Sequence, residues 1–528
     1  MARLLAKSPG VLLAVGLWIL VCPALLAEDD DPNALNQQVN QLIVQGKYQE
    51  AVPFAERAIE VSKRVRGPEQ PETAAALNNL GFLFQKIGDY PKAEPLLQEA
   101  LRIRQKVLGP EHPDTASSLN KLAVLYQDLH EYAKAEPLYR EALRICQKVL
   151  RPEHPETATS LNNLATLYWR MGEYTKAEPL YQEALRIRRK FLGPELPDTA
   201  STLNSLAVLY QDMGEYGKAE PLYQEALQIW QKILGPEHPN AATSLNNLAS
   251  LYQGMGEYAK AEPLFQEALR IRKKVLGPEH PDTAESLNNL ALLYQGMGEY
   301  AKAEPLFQEA LQIVQKVLGK EHPDTAISLN NLAALYQAMG EYAKAEPLFQ
   351  VALRIRQKIL GPEHPETAIS LNNLGALYWT MGEYAKAEPL YQEALRIRQK
   401  ILAPWHPDTA LSLDNLALLE FGLDRIDEAT ALVRQASAAE LTILSKVFSF
   451  TSEQQRLAYL DIFHPYSLFP FLKGTEADLA NAVLRYKGVV LDSIVEDRLL
   501  AEASQGTEDQ KLVEQLNLDT ESEPLMLT

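Results

Sequence analysis

Residues His280 to Glu321 read HPDTAESLNNLALLYQGMGEYAKAEPLFQEALQIVQKVLGKE, and nearly the same 42 residues recur before and after this stretch. One leucine marks the period, at Leu35, Leu77, Leu119, Leu161, Leu203, Leu245, Leu287, Leu329, Leu371 and Leu413. A fixed period of this size is typical of a stacked array in which each unit buries its apolar face only against its neighbours. Although 528 residues could form several domains, we predict one elongated solenoid of ten units over residues 35–444.

Each unit carries two apolar stripes at helical spacing, separated by a glycine such as Gly298. The first stripe is Ala284, Leu287, Leu290, Ala291 and Tyr294, and the second is Tyr300, Ala303, Phe307, Ala310, Val314 and Val317. Gly319 suits the end of the second helix. The joint that follows, GPEHPD in most units, supplies a proline and an acid for the start of the next helix. Each unit is therefore predicted to be a pair of antiparallel helices.

These slots resemble the tetratricopeptide repeat pattern, in Leu287, Leu290, Ala291, Tyr294, Ala303, Phe307 and Ala310. The common repeat has about 34 residues, whereas this one is longer because its second helix continues through QIVQKVLG. The 42-residue form is similar to the kinesin light chain variety, which bacteria also carry. The resemblance covers roughly three quarters of the chain. It implies an all-α, right-handed superhelical solenoid of about ten helix pairs, followed by a short helical C-terminal segment.

Residues 1–27 are typical of an export signal. Arg3 and Lys7 precede an apolar run over residues 11–22, and Pro23 and small residues follow. We expect cleavage after Ala27 or Ala24, a linker over residues 28–34, and a periplasmic or extracellular protein. Two alternatives are an uncleaved membrane anchor formed by residues 11–27 and a soluble N-terminal helix.

The chain is acidic, with a net charge of −18. Without Arg3 and Lys7 it becomes −20, and no basic patch suits a nucleic acid. We read the spread acidity as solubility of a long surface. We expect no nucleic-acid partner, and contact with a membrane only through an uncleaved signal.

The repeat ends in a degenerate tenth unit, where Asp424, Ile426 and Ser437 replace the glycine, tyrosine and leucine of the other units. Terminal units of solenoids are usually atypical because they cap an open end. Residues 445–528 have a different composition, with a polar tail. This segment resembles the helical linker before the caspase-like peptidase of bacterial CHAT-type proteins.

No catalytic or metal-binding arrangement stands out, so we expect a non-catalytic protein with no cofactor and no metal site. Seven of the nine histidines occupy the joints, too far apart to share a metal, and we assign them to turn packing. They are His112, His154, His238, His280, His322, His364 and His406. Cys146 occupies a slot that holds arginine in most units, which predicts at least partial exposure of that slot.

The slot after the marker leucine is asparagine in nine units, which makes it the candidate binding row. Its members include Asn36 and Asn78, Asn120, Asn162, Asn204, Asn246, Asn288, Asn330 and Asn372, and Asp414 follows. An asparagine amide donates and accepts hydrogen bonds, so it could hold the backbone of an extended peptide. The resemblance implies such a role, because kinesin light chains use asparagines of this helix in that way. The alternative is hydrogen bonding between helices. The next asparagine in each unit we read as mainly structural.

Trp169 and Trp379 replace a glutamine of the groove side found in the sister units. They could be binding anchors or could pack on the next helix. The leading functional hypothesis is an exported adaptor that binds a protein or an extended peptide in its concave groove. The alternative is the sensor part of a truncated or split CHAT-type peptidase. A light chain of a microtubule motor is disfavoured, because a heptad coiled coil would have to precede the repeats.

Overall fold

The computed structural model describes residues 31–191, 193, 195–402 and 404–448. The predicted signal at residues 1–27 and all but the first residues of the C-terminal segment lie outside these residues. The described chain forms twenty helices and no strand, as the repeat predicted. The first helix begins at Pro32 and the last ends at Phe448, so the helical array extends slightly beyond residues 35–444 at both ends.

The helices alternate between the first and the second helix of each unit. The first helices are α1 Pro32–Val44, α3 Pro71–Ile87, α5 Pro113–Asp128, α7 Pro155–Arg170, α9 Pro197–Asp212, α11 Pro239–Gly254, α13 Pro281–Gly296, α15 Pro323–Ala338, α17 Pro365–Thr380 and α19 Pro407–Gly422. The second helices are α2 Tyr48–Val65, α4 Tyr90–Val107, α6 Tyr132–Val149, α8 Tyr174–Phe191, α10 Tyr216–Leu234, α12 Tyr258–Val275, α14 Tyr300–Val317, α16 Tyr342–Ile359, α18 Tyr384–Ile401 and α20 Ile426–Phe448.

The joint histidines are helix caps, which explains why they recur. His280 precedes the proline that opens α13, and its Nδ1 accepts a hydrogen bond from the Asp282 backbone N–H at 3.1 Å. The same bond is made by all seven joint histidines. It satisfies one of the backbone donors that a helix leaves unpaired at its start. Leu196 occupies this position in the fifth unit, and its first helix has no side-chain cap.

Small residues in the core allow consecutive helices to pack closely. Ala291 and Ala303 are fully buried, and the ring of Phe307 lies beside them in the same core. Full burial of a side chain of this size stabilises the fold by about 1.5–3 kcal/mol. Polar bonds also join consecutive units, since the Tyr294 hydroxyl donates to Glu262 of the preceding unit at 2.8 Å. Both contacts recur along the array, so its stability is distributed over the unit interfaces.

The array coils so tightly that its successive turns touch, a feature that the repeat did not predict. The Nε2 atom of His280 lies 3.3 Å from the carbonyl oxygen of Val44. In the same way, the Nε2 atom of His322 lies 3.0 Å from the carbonyl oxygen of Lys86. In each pair, a joint contacts the turn between the two helices of the unit six positions earlier. We call this line of contacts the seam. It brings units 1, 2, 3 and 4 against units 7, 8, 9 and 10.

Close approach at the first two contacts of the seam, which involve Gly46 and Gly88, depends on glycine. Gly46 has a φ of +70°, and a Cβ atom added there would lie 2.7 Å from Cδ of Pro281. Real Cβ atoms do not come this close to another atom. The turn in unit 1 therefore needs glycine both for its left-handed backbone and for the close contact at the seam.

The first helices line the inside of the coil, where consecutive ones contact each other directly. With helices spaced about 10 Å apart, six of them give an inner ring with a radius of roughly 10 Å. A helix with its side chains has a radius of about 5–6 Å. The concave side is therefore a narrow channel, on the order of 10 Å wide or less, whose wall is closed along the seam.

Candidate functional site: the concave channel

The channel surface is formed by the exposed stripe of each first helix. In unit 7, Glu285 and Leu292 of this stripe are exposed and Asn289 is partly buried. Between them, Asn288 is partly buried and the other residues are buried in the core. The corresponding slots differ between units more than the core slots do. The side chains that face the channel therefore differ in charge and polarity from one unit to the next, whereas the core side chains are nearly the same in all units.

The asparagine row lies in the interfaces between units rather than on the channel surface. Asn78, Asn246, Asn330 and Asn372 are buried, and Asn120, Asn162, Asn204 and Asn288 are partly buried. The Nδ2 group of Asn246 donates to the Ser286 hydroxyl of the next unit at 2.9 Å. Asn78, Asn204 and Asn330 make the same bond with Ser118, Ser244 and Ser370. These bonds have the geometry expected from the alternative reading of the row, in which the asparagines form hydrogen bonds between helices.

Buried arginines of the second helices complete these interfaces. Arg272 is 2% exposed, and its Nη1 donates to the Ser286 hydroxyl at 3.0 Å and to the Asp282 carbonyl oxygen at 2.7 Å. Arg356 and Arg398 make equivalent bonds, and burial lowers the pKa of both guanidinium groups. The serine thus receives an amide and a guanidinium at once. Among the described residues, Oδ1 of Asn246 has no hydrogen-bond partner.

The same arginines correct the expectation for Cys146. We expected the slot to be at least partly exposed because it accepts arginine, but Cys146 is 4% exposed and Arg188 6% exposed. The inference failed because carbonyl and hydroxyl acceptors of the next first helix bond the Nη1 group of the guanidinium, so arginine tolerates burial there even though its Nε has no partner among the described residues. Burial raises the pKa of the Cys146 thiol, which the Ser160 hydroxyl contacts at 3.5 Å.

The two tryptophans have different environments. The indole N–H of Trp169 donates to the Asp212 carboxylate of the next unit at 2.7 Å, and its ring is partly buried. Trp379 is 38% exposed at the end of α17. Trp169 therefore packs on the next helix, as one reading of the sequence predicted, whereas Trp379 offers an aromatic surface.

An apolar stripe in the last units was missed by sequence reasoning. Ile327, Ile369 and Leu411 occupy one slot on three consecutive first helices, and Ile327 and Leu411 are 42% and 49% exposed. Leu292, on the preceding first helix, is 38% exposed. In the other units the slot of Ile327 holds Asn33, Ala75, Ser117, Thr159, Ser201, Thr243 and Glu285. This change from small or polar residues to large aliphatic ones could have been found by comparing the units slot by slot.

Units 2 and 3 together present a cationic surface instead. The ammonium groups of Lys86 and Lys121 lie 5.6 and 5.8 Å from the ring centre of Phe82. Burial and the nearby Arg104 lower the pKa of Lys121. The signal in the sequence was that Lys121 stands where most units have the second asparagine. The channel therefore changes from cationic and aromatic near one end to apolar near the other.

The described residues contain no group of three or more histidine, cysteine or acidic side chains that could hold a metal ion. None of the described helices combines the length and the apolar character needed to cross a membrane.

The sequence profile of the tetratricopeptide repeat family matches this chain in eight overlapping segments, which together cover residues 30–190 and 198–439. The chain belongs to the tetratricopeptide repeat family. No curated protein matches it. The tetratricopeptide repeat fold is in general a non-catalytic scaffold that binds proteins.

Three solved structures are similar to parts of the array. BtubC (BKLC) from P. vanneervenii is 28% identical over 44% of this chain and 92% of its own, with a TM-score of 0.36. A kinesin light chain-like protein from Podospora anserina with nearly identical TPR-like repeats is 32% identical over 39% of this chain and 98% of its own, with a TM-score of 0.34. A Rap protein complexed with competence and sporulation factor is 15% identical over 70% and 98%, with a TM-score of 0.46.

Proposed function

We propose that this protein is a non-catalytic scaffold that binds an extended polypeptide in its concave channel. The observation that carries the proposal is the shape and chemistry of the channel. Its wall closes at the seam, and large aliphatic side chains face its interior in the last four units. A soluble protein rarely exposes apolar residues in a continuous row unless they mark a binding surface.

The width of the channel favours one class of ligand. An extended chain is the slimmest form of a polypeptide, and sheets of extended chains pack about 10 Å apart face to face. A helix with its side chains is about 10–12 Å across, which is wider than a channel on the order of 10 Å or less accepts. Units spaced about 10 Å apart correspond to about three residues of an extended ligand. We therefore propose a ligand with apolar side chains near the Ile327, Ile369 and Leu411 slots.

The test is a peptide selected from a random library on the full chain, followed by titration with channel variants. Ile327→Glu combined with Leu411→Glu should weaken the selected peptide at least about tenfold, because each lost apolar contact is worth about 1.5–3 kcal/mol. Val351→Glu is the matched control, since Val351 is 36% exposed but lies on the second helix α16. Equal loss of binding in both variants would contradict the assignment to the channel.

Trp379 gives a second readout of the same proposal. Trp379→Gln restores the residue of the sister units, so the array should fold normally. If Trp379 is an anchor, the selected peptide should quench its fluorescence, and the variant should bind more weakly. Unchanged affinity together with unchanged fluorescence would place the peptide away from this end of the channel.

A further inference from the structure

The first two contacts of the seam share one chemistry. In His280 and His322, Nδ1 accepts the backbone N–H of the helix that the histidine caps. The ring proton therefore lies on Nε2, which donates to the carbonyl oxygen of the opposite turn, Val44 or Lys86. Asp282 and Asp324 place carboxylate oxygens 3.8 and 3.7 Å from the two Nδ1 atoms.

The third contact is different because His130 replaces the turn glycine. His130 keeps the left-handed backbone, with a φ of +55°, and its Nδ1 lies 3.1 Å from Nε2 of His364. The two rings meet edge to face, with centres 4.5 Å apart. Nδ1 of His364 accepts the Glu366 backbone N–H at 3.1 Å, so the proton on Nε2 is donated to His130. Two neutral imidazoles therefore hold unit 3 against unit 9.

Neither ring can take a second proton without losing a hydrogen bond. A proton on Nδ1 of His130 would donate to the Asp128 carbonyl oxygen, 3.3 Å away, but it would also face the N–H of His364 at 3.1 Å. A proton on Nδ1 of His364 would face the Glu366 backbone N–H. No carboxylate of the kind that stands beside His280 and His322 is available to His364. The Glu366 carboxylate pairs with Arg356 at 2.9 Å.

Of the charged and titratable groups around the pair, some favour the protonated form of the histidines and others oppose it. Asp128 of the same turn and Glu366 of the opposite joint favour a charged His130, whereas Arg170 opposes it. Arg356 and His130 both oppose a charged His364, and His130 also opposes a charged His406 in the next joint. Burial is the largest effect at all three rings. It lowers the pKa of His130, and together with the His130 ring it lowers the pKa of His364 to about 3.

We propose that the His130–His364 contact is an acid-sensitive latch that holds two turns of the coil together at neutral pH and releases them on acidification. Release would separate unit 3 from unit 9 and open the wall of the channel from the side. The latch is independent of any ligand, so it stands whether or not the channel binds peptides.

The direction of the pH effect follows from comparing the histidine pKa values in the open and closed forms. An exposed histidine has a pKa of about 6.5, and the closed seam lowers this value, so the open form binds protons more readily. The closed form is therefore fully favoured above about pH 6.5 and loses stability as the pH falls towards 3. For His364 alone, the ratio of open to closed molecules should be roughly 30-fold higher at pH 5 than at pH 8. His130 acts in the same direction.

The experiment measures one distance across the seam and one along the array, by pulsed electron spin resonance of the full chain. Spin labels at Ala133 and Gln357, both exposed, span the seam between unit 3 and the joint before unit 9. Labels at Ala133 and Thr175 span two consecutive units and report on the array itself. The background is Cys22→Ser with Cys146→Val, since Val314 occupies the Cys146 slot in unit 7.

We expect the seam distance to lengthen between pH 6.5 and 4 while the Ala133–Thr175 distance and the helical circular dichroism stay constant. His130→Gly restores the residue of the sister turns, so His364 could bond the Asp128 carbonyl oxygen as His280 bonds that of Val44. This variant should stay closed to a lower pH than the wild type. His154→Asn is the matched control, because His154 makes the same cap in a joint outside the seam and asparagine also caps helices.

Three results would overturn the latch. The first is a seam distance that does not change down to pH 4 in a folded chain. The second is an identical pH profile for the wild type and His130→Gly. The third is a loss of the Ala133–Thr175 distance at the same pH as the seam distance, which would mean that acid unfolds the array as a whole.

Discussion

At the scale of single residues, the recurring polar side chains of this protein join one unit to the next. Asn246 and Arg272 converge on the Ser286 hydroxyl, and all three side chains are buried. A buried hydroxyl that accepts two bonds fixes how two units rotate against each other, because either bond fails if the helices shift by more than about an ångström. The four asparagines that make this bond, Asn78, Asn204, Asn246 and Asn330, therefore join consecutive units of the solenoid.

Asn246→Ala should lower the free energy of unfolding by about 0.5–1.5 kcal/mol, because one buried hydrogen bond is lost. Ser286→Ala removes the acceptor of the same bond, so the double variant should be less unstable than the sum of the two. Chemical denaturation of the four proteins of this cycle measures the coupling. Additive effects would show that the amide and the hydroxyl do not interact. Affinity for a channel ligand should stay unchanged in every folded variant.

Cys146 should react slowly with thiol reagents, because it is buried and burial raises the pKa of its thiol. The rate of modification should rise when mild denaturant opens the interface between units 3 and 4. A rate equal to that of a free thiol in the native protein would show that the slot is open after all. Mass spectrometry of the modified chain confirms the site.

At the scale of helices, start and stop signals define the units more sharply than apolar periodicity does. Proline and a capping histidine open most first helices, and a glycine with positive φ ends most units. All second helices except α20 carry a proline five residues after their start, such as Pro305 in α14. This proline removes the N–H that would bond the Ala301 carbonyl, and both residues are exposed, so water can satisfy that carbonyl.

Leu196→His should stabilise the array, because Leu196 is the joint residue of unit 5 and lacks the cap that its sisters make. A new cap is worth about 1 kcal/mol, within a range of about 0.5–2 kcal/mol. The reverse change, His238→Leu in the next joint, should cost a similar amount. Urea denaturation of both variants measures these changes. If Leu196→His does not stabilise the array and His238→Leu does not destabilise it, the caps contribute little here.

At the scale of the whole molecule, the seam turns a one-dimensional array into a closed coil. In an open solenoid each unit depends only on its two neighbours. Here unit 7 also contacts unit 1, and unit 8 contacts unit 2. Local damage can therefore pass between units that are about six positions apart in the sequence.

Ala291→Leu should show this coupling in hydrogen exchange. Ala291 is fully buried in α13, and overpacking there should cost about 1–3 kcal/mol. We expect faster exchange in units 6, 7 and 8 and in the turn of unit 1, with little change in units 3 and 4. Loss of protection limited to units 6–8 would argue against the seam, and uniform loss over all units would argue against an array that opens locally.

We propose, from the pattern of residues 1–27, that the chain is exported and that the mature protein begins near Glu28. The basic start, the apolar run and the small residues before Glu28 support this proposal. N-terminal sequencing of the native protein should give a chain that starts at or near Glu28. An intact Met1 in a soluble cytosolic fraction would refute it.

The sequence by itself determined the unit, its two helices and their order, because apolar period, proline, glycine and capping side chains act within about 20 residues of one another. It also predicted the family and the concave side. Only the tertiary structure decided how many units make one turn, because a small rotation at each interface accumulates over six units and is set by packing. The same packing placed the asparagine row in the interfaces between units and buried arginines such as Arg272, whose acceptors lie on the next unit. It also placed His130 against His364, residues that the sequence separates by 234 positions.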